Sequence, residues 1–240
     1  MQKPQLFLLH FAGGNRYSFK PLEHLLKDFE VILPELPGRG DRIGETLLRD
    51  AEAAARDFYR QISARVAGGG FMIYGHSMGA ALSLRVTQLL EAEGKFPRLL
   101  MVGGNAGPAS KGDRTTYLLS DDDFFEEVKK LGGLSEEVLN TPELLAFIEP
   151  ILRADFEIAE KEELSAVVQS PIYGIMGSEE ENAEKLFNWR QFTHADFHGE
   201  IVTGNHFFIF EHPEKVAGII RQQYLKAVRS SNDLEIKNYT

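Results

Sequence analysis

The stretch Phe71-Met72-Ile73-Tyr74-Gly75-His76-Ser77-Met78-Gly79-Ala80-Ala81 constrains this chain more than any other. An apolar run of strand type enters a G-x-S-x-G turn, and an alanine-rich helical pattern leaves it. Such a turn forces its central residue into a strained backbone conformation that only small neighbours tolerate, and it lifts the serine oxygen above the end of the strand. Gly75 and Gly79 supply that room. The helix that starts after Ser77 directs its positive end at the same point, so the Met78 amide is the natural first donor to a developing oxyanion. A bare G-x-S-x-G arises often by chance. The strand before it and the helix after it make a simple tight turn the poorer reading.

The rest of the pattern supplies the frame. Short apolar runs bounded by turn residues recur at 6–10, 31–34, 71–75, 99–103, 171–176 and 200–203, with longer amphipathic stretches at 50–66 and 77–93. Short runs rich in Val, Ile, Leu and Phe read as buried strands. Their alternation with helices predicts an α/β protein with a mostly parallel central sheet and right-handed crossovers. The rhythm breaks over about 111–165, where only helical patterns occur, at 120–131 and 141–160. Ser120 ahead of Asp121, Asp122 and Asp123 makes an N-cap with acidic residues in the first turn, where they favour the macrodipole. Thr141-Pro142-Glu143 is similar. The expected organisation is a single domain over 1–240, with a helical lid inserted at about 111–165 above the carboxyl edge of the sheet. A helix at 213–229 and a polar tail at 231–240 complete the pattern.

An elbow serine is inert until a base removes its proton, and the base needs a third group to orient it. Of the seven histidines, His10 and His76 sit where local packing explains them, and His24 and His212 lie on helical segments. His194 and His198 have metal-pair spacing but no third ligand. His206, in Gly204-Asn205-His206-Phe207-Phe208, directly follows the last predicted strand, where a base stands if the chain order is Ser, acid, His. The acid then belongs after the preceding strand, where Met176-Gly177 leads into Ser178-Glu179-Glu180-Glu181. Glu180 is the expected acid, because the fourth residue of a G-x-x-acid turn points back toward the histidine loop; Glu179 is the alternative. A second oxyanion donor falls to the loop His10-Phe11-Ala12-Gly13-Gly14, whose glycines permit close backbone approach. Ala12 is the expected donor, with Phe11 as its neighbouring alternative.

Composition narrows the chemistry further. The chain has no cysteine, so a thiol nucleophile, a thiolate metal site and a disulfide framework are all excluded. Its 36 Asp and Glu against 26 Lys and Arg leave a net charge of -10, a poor match for a phosphate backbone, so no nucleic-acid partner is expected. That charge is concentrated, with -9 over 111–165 and -1 elsewhere. The apolar run before His10 is too short for a signal sequence or a membrane span and reads as the first strand, which fits a cytoplasmic protein.

Several motifs together carry a resemblance. They are Phe11-Ala12-Gly13-Gly14, Leu36-Pro37-Gly38-Arg39-Gly40-Asp41-Arg42, the elbow through Ala80, and Leu119-Ser120-Asp121-Asp122-Asp123-Phe124 with Leu131-Gly132-Gly133. Leu152-Arg153-Ala154-Asp155-Phe156, Trp189 and the loop from Gly204 to Phe208 complete them. Over most of its length the chain resembles the type II thioesterases of nonribosomal peptide and polyketide assembly lines, within the α/β-hydrolase fold. The resemblance implies hydrolysis of acyl thioesters from the phosphopantetheine arm of an acyl- or peptidyl-carrier protein, clearing stalled or wrongly primed chains. It implies Ser77 as nucleophile, His206 as base and the Ala12 and Met78 amides as oxyanion donors; a monomer without cofactor or metal is the expectation beside it. Two positions depart from the family pattern: Glu180 stands where Asp is usual, and Gly204-Asn205-His206 where Gly-Gly-His is usual.

Alternatives from other classes are an acyl-CoA or fatty-acyl thioesterase, a carboxylesterase, and a non-catalytic α/β-hydrolase binding protein. Carrier proteins are generally acidic, so the acidic insertion would repel one. Docking is expected on the body or on a patch including Arg16, Lys20, Lys111 and Arg114. Arg39 and Arg42 have the look of phosphate ligands, but fixing the Pro37-Gly38 loop is the better reading.

Overall fold

Six apolar runs become strands: β1 Gln5–Leu9, β2 Glu30–Ile32, β3 Phe71–His76, β4 Leu99–Gly103, β5 Ile172–Gly177 and β6 Phe197–Val202. They form one sheet in the order β2-β1-β3-β4-β5-β6, and every neighbouring pair is parallel. The structure, a computed structural model, describes residues 3–67, 70–107, 114–134, 136–161, 163 and 166–237. Lys111 and the outer limits of the expected 111–165 insertion lie outside the described residues.

β1, β3, β4 and β5 are buried at every position, as a parallel sheet requires when helices cover both its faces. Side chains along each strand alternate between the two layers. Phe7, Leu9, Ile73, Leu100 and Val102 meet α2 (Ala51–Ser63) and α3 (Met78–Ala92) on one face. Leu6, Leu8, Met72, Tyr74 and Met101 meet α1 (Lys20–Leu25) and α8 (Pro213–Lys237) on the other.

The strand order places the site. The chain steps from β1 outward to β2, then returns past β1 to β3 and continues in the opposite direction. The loops leaving β1 and β3 therefore diverge at their carboxyl ends, and that crevice is where open α/β sheets bind ligands.

Between β4 and β5 the described chain is helical: α4 Asp121–Leu131, α5 Glu136–Leu139 and α6 Pro142–Lys161. Ser120 caps α4 as expected, accepting from the Asp123 amide, and Gly132 ends that helix in the left-handed region at φ 80. Phe124, Val128 and Leu152 form a small core of their own between these helices. A final short helix, α7 (Phe208–Glu211), precedes α8.

Three features differ from the sequence reading. α1 has only two turns and so little pattern to read. β6 starts at Phe197, ahead of the expected 200, because an edge strand tolerates the polar run His198-Gly199-Glu200. α8 continues past Arg229 to Lys237 in place of the expected tail. Polarity does not break a helix, and Leu234, Glu235 and Lys237 are all helix formers.

Candidate active site

The turn after β3 is built as its glycines require. Ser77 has φ 55 and ψ -115, and it is the one non-glycine residue with positive φ among those described. Holding such a conformation costs about 1–3 kcal/mol and needs firm surroundings. A Cβ on Gly75 would lie 2.2 Å from the Gly79 carbonyl oxygen, and one on Gly79 would lie 2.4 Å from that of Leu9. The crossing of β3, α3 and the end of β1 thus admits only glycine at both places. The Ser77 N–H donates to the Gly103 carbonyl at 2.7 Å, and its own carbonyl accepts from Asn105 Nδ2 at 3.1 Å. The Asn105 carbonyl in turn accepts from the indole N–H of Trp189 at 2.7 Å, and that indole is fully buried.

Ser77, His206 and Glu180 are brought together from three loops at the carboxyl edge. Ser77 Oγ lies 2.9 Å from His206 Nε2, and His206 Nδ1 lies 2.7 Å from Glu180 Oε2. The other carboxylate oxygen, Oε1, accepts the Gly177 amide at 3.0 Å, so the G-x-x-acid turn closes on its own first residue. Both side chains are largely enclosed, Glu180 at 11% and His206 at 15% exposure. Glu179 is exposed and contributes only its backbone, donating to the Gly204 carbonyl. Three adjacent glutamates are chemically equivalent in sequence. Burial and direction separate them here.

The loop carrying His206 is fastened from two sides. The Asn205 side chain accepts from the Phe207 amide at 2.6 Å and donates to Glu211 at 2.7 Å, so the departure at this position adds a tie to the loop. Below it, His76 Nε2 lies 2.9 Å from the His206 carbonyl oxygen, and His76 Nδ1 lies 2.9 Å from the Tyr74 hydroxyl. A carbonyl only accepts, so His76 carries its proton on Nε2 and receives the tyrosine proton at Nδ1. Burial first, and the neighbouring His206 second, push His76 down to about 3, and the ring is neutral. In the sequence His76 is explained by local packing, and the G-H-S triplet gives no sign of this bond.

Met78 and Ala12 carry the two expected oxyanion donors. Met78 opens α3, so its amide has no carbonyl one turn back within the helix. Ala12 lines the same cavity as Ser77, and among the described residues its amide donates to no protein acceptor. The amides and carbonyls around it are occupied. Gly14 N–H and His10 Nδ1 both bond the Phe11 carbonyl, and Gly13 N–H donates to Asp155 on α6.

A thioesterase domain family matches residues 4–224. The chain belongs to the thioesterases. It is 28% identical over 234 residues to the thioesterase PikA5 of Streptomyces venezuelae, covering 95% of this chain and 83% of the relative. Among solved structures, ClbQ from the colibactin NRPS/PKS pathway matches with a TM-score of 0.88 at 26% identity, over 95% of this chain and 100% of ClbQ. YbtT, the type II thioesterase of the yersiniabactin NRPS/PKS pathway, matches with a TM-score of 0.85 at 26% identity, over 94% of each chain. The parallel sheet with its flanking helices is the α/β-hydrolase fold expected from the motifs.

In this thioesterase a cavity of about 500 Å³ opens above Ser77, within the usual range for a small-molecule site. Its floor is Ala12, Ser77 and His206, and Leu134, Leu152 and Phe156 of the α4–α6 segment line it from above. Phe124 packs wholly inside that segment, and Phe147 is 59% exposed. Of the basic residues expected to form a docking patch, Arg16 is paired with Asp41, and Lys20 stands over the Tyr17 ring. Arg114 lines the cavity and is largely exposed, with Glu181 4.0 Å away. Arg42 is bound by Glu45 and Asp57 and donates to the Glu35 carbonyl, and Arg39 is buried against Asp155. Arg42 thus fastens the loop after β2, as the loop-fixing reading expects, whereas the Arg39 guanidinium reaches away from that loop to Asp155 on α6 and to the Gly14 carbonyl after β1. No helix among the described residues is long and apolar enough to cross a membrane.

Proposed function

We propose that this thioesterase hydrolyses acyl groups held as thioesters on the phosphopantetheine arm of an acyl- or peptidyl-carrier protein, using Ser77, His206 and Glu180. The reading is carried by the continuous chain from Ser77 Oγ through His206 to Glu180 at the floor of a cavity with an apolar side formed by Leu134, Leu152 and Phe156. His206 Nε2 takes the Ser77 proton as Oγ attacks the thioester carbonyl. The Ala12 and Met78 amides hold the oxyanion. The carrier thiol leaves with the proton from His206, and water, deprotonated by the same nitrogen, then releases the acid and restores Ser77. Glu180 keeps the proton of His206 on Nδ1 and balances the imidazolium that forms in each half-cycle.

The α4–α6 helices act as the lid of this single domain, and their apolar lining receives the acyl chain. An acidic carrier would be repelled by the 111–165 segment. Arg114, exposed at the cavity with the exposed Glu181 4.0 Å away, is a cation placed to meet it. The enzyme acts in this reading as a cytoplasmic monomer, consistent with a cysteine-free chain. The test is kcat/KM on one acyl group presented on a carrier protein and on coenzyme A. A clear preference for the carrier supports the reading. Equal values would indicate a thioesterase of small soluble substrates.

A further inference from the structure

We propose that the buried Arg39–Asp155 ion pair is a positioning device for the Ala12 oxyanion donor, and that through it the second half of α6 sets the geometry of the oxyanion hole. The pair joins three segments that are distant in sequence: the loop after β1, the loop after β2, and the lid helix. Arg39 Nη1 and Nη2 meet Asp155 Oδ2 and Oδ1 at 2.5 and 2.8 Å, a two-pronged arrangement at 3% and 0% side-chain exposure. Each partner also holds the oxyanion loop. Asp155 Oδ2 accepts the Gly13 amide at 2.7 Å, and Arg39 Nη1 donates to the Gly14 carbonyl at 3.3 Å.

These bonds fall on the C-terminal side of Ala12, and the bonds from Gly14 N–H and His10 to the Phe11 carbonyl fall on its N-terminal side. The Ala12 peptide is therefore aimed by its neighbours while its own N–H stays available. α6 also presses directly on this loop. Gly13 has φ +74, and a Cβ there would lie 2.5 Å from Leu152 Cδ2.

Stability alone is a weak reason for such a pair. Apolar replacement of a buried ion pair is often neutral or stabilising, and Arg39 Nε is buried with no partner among the described residues. What an apolar pair cannot supply is the acceptor for the Gly13 amide.

The inference rests on the thioesterase reading of Ser77, which Ser77→Ala tests separately in the same assay. Two double variants test the inference itself. Arg39→Met with Asp155→Leu removes both charges together and leaves the Gly13 amide without an acceptor. Arg39→Met with Asp155→Asn removes the same charges but keeps an acceptor there. The leucine double is expected to lose about tenfold or more in kcat, the scale of an impaired oxyanion donor. Its KM should stay within about twofold, and the acid limb of its pH–rate profile should be unmoved, because His206 is untouched. The asparagine double should recover much of that loss at a similar melting temperature. Asp155→Asn alone provides the same comparison with Arg39 in place, and it should keep more kcat than the leucine double. Equal kcat in the leucine and asparagine doubles, or a leucine double as fast as wild type, would overturn the proposal. A loss confined to melting temperature would assign the pair a purely structural role.

Discussion

Replacing Glu180 by glutamine changes one atom and should nearly silence the enzyme. The Gly177 N–H, 3.0 Å from Oε1, requires an oxygen there, so the new amide nitrogen must occupy the Oε2 position, 2.7 Å from His206 Nδ1. An NH2 group only donates, so Nδ1 must become the acceptor and the ring proton must move to Nε2. That proton then faces Ser77 Oγ across 2.9 Å, and an Nε2–H cannot take the serine proton. The charge is lost as well. A carboxylate and an imidazolium with centres ~4 Å apart at an effective dielectric near 20 attract by about 4 kcal/mol. Together with the wrong tautomer this corresponds to roughly 10³- to 10⁴-fold in kcat. The assay is thiol release from an acyl thioester followed with a thiol-reactive dye, to which this cysteine-free enzyme adds no background. KM and melting temperature should change little, and Glu179→Gln should stay within about twofold because that side chain is exposed. A Glu180→Gln enzyme with more than a tenth of wild-type kcat, or a crippled Glu179→Gln, would refute the assignment.

Other perturbations reach the supports of the site. Trp189→Phe removes the indole donor to the Asn105 carbonyl and should cost about 1–3 kcal/mol, read as a lower melting temperature; an unchanged melt would mean the bond is not needed to hold Asn105. Gly75→Ala should destabilise by about 3 kcal/mol or prevent folding, because its Cβ would meet the Gly79 carbonyl at 2.2 Å; a fully stable, active variant would show that the elbow can shift. Acid should weaken the fold through two buried histidines. Burial, ahead of the Arg39 charge, pushes His10 down to about 4, and burial ahead of His206 pushes His76 down to about 3. Both folded values lie below the ordinary 6.5, so the unfolded chain takes up protons first as pH falls. The contribution of these rings is present above about pH 6.5 and drains toward pH 4 and 3, at up to about 1.4 kcal/mol per pH unit for each. Urea midpoints at pH 7 and 5 should show this slope, and His10→Gln should flatten it.

Much of this architecture is legible in the sequence because burial on both faces leaves little freedom of composition. β1, β3, β4 and β5 read as apolar runs for that reason, and the elbow reads clearly because Gly75 and Gly79 meet backbone where any Cβ would collide. His206 and Glu180 follow from chain order. The choice between Glu180 and Glu179 rests on a turn rule that neighbouring identical side chains blur, and the Gly177 bond displays the geometry behind it. Long-range pairing was not legible. Arg39 reads as a loop arginine, and nothing in its neighbourhood points to Asp155 on a different helix. The Tyr74–His76–His206 connection is hidden in the same way, since a histidine beside an elbow serine looks alike whether it packs or donates. β6 is understated because an edge strand needs only part of its length to be apolar.

Hydrolysis through Ser77 passes through a covalent acyl intermediate on its hydroxyl oxygen. The most direct measurement is mass spectrometry of the enzyme quenched during turnover of an acyl-loaded carrier protein, followed by peptide mapping. The predicted result is a mass gain equal to the acyl group on the peptide containing Ser77, absent in Ser77→Ala, whose hydrolysis rate falls to background. An acyl group mapped to another residue, or undiminished hydrolysis by Ser77→Ala, would contradict it.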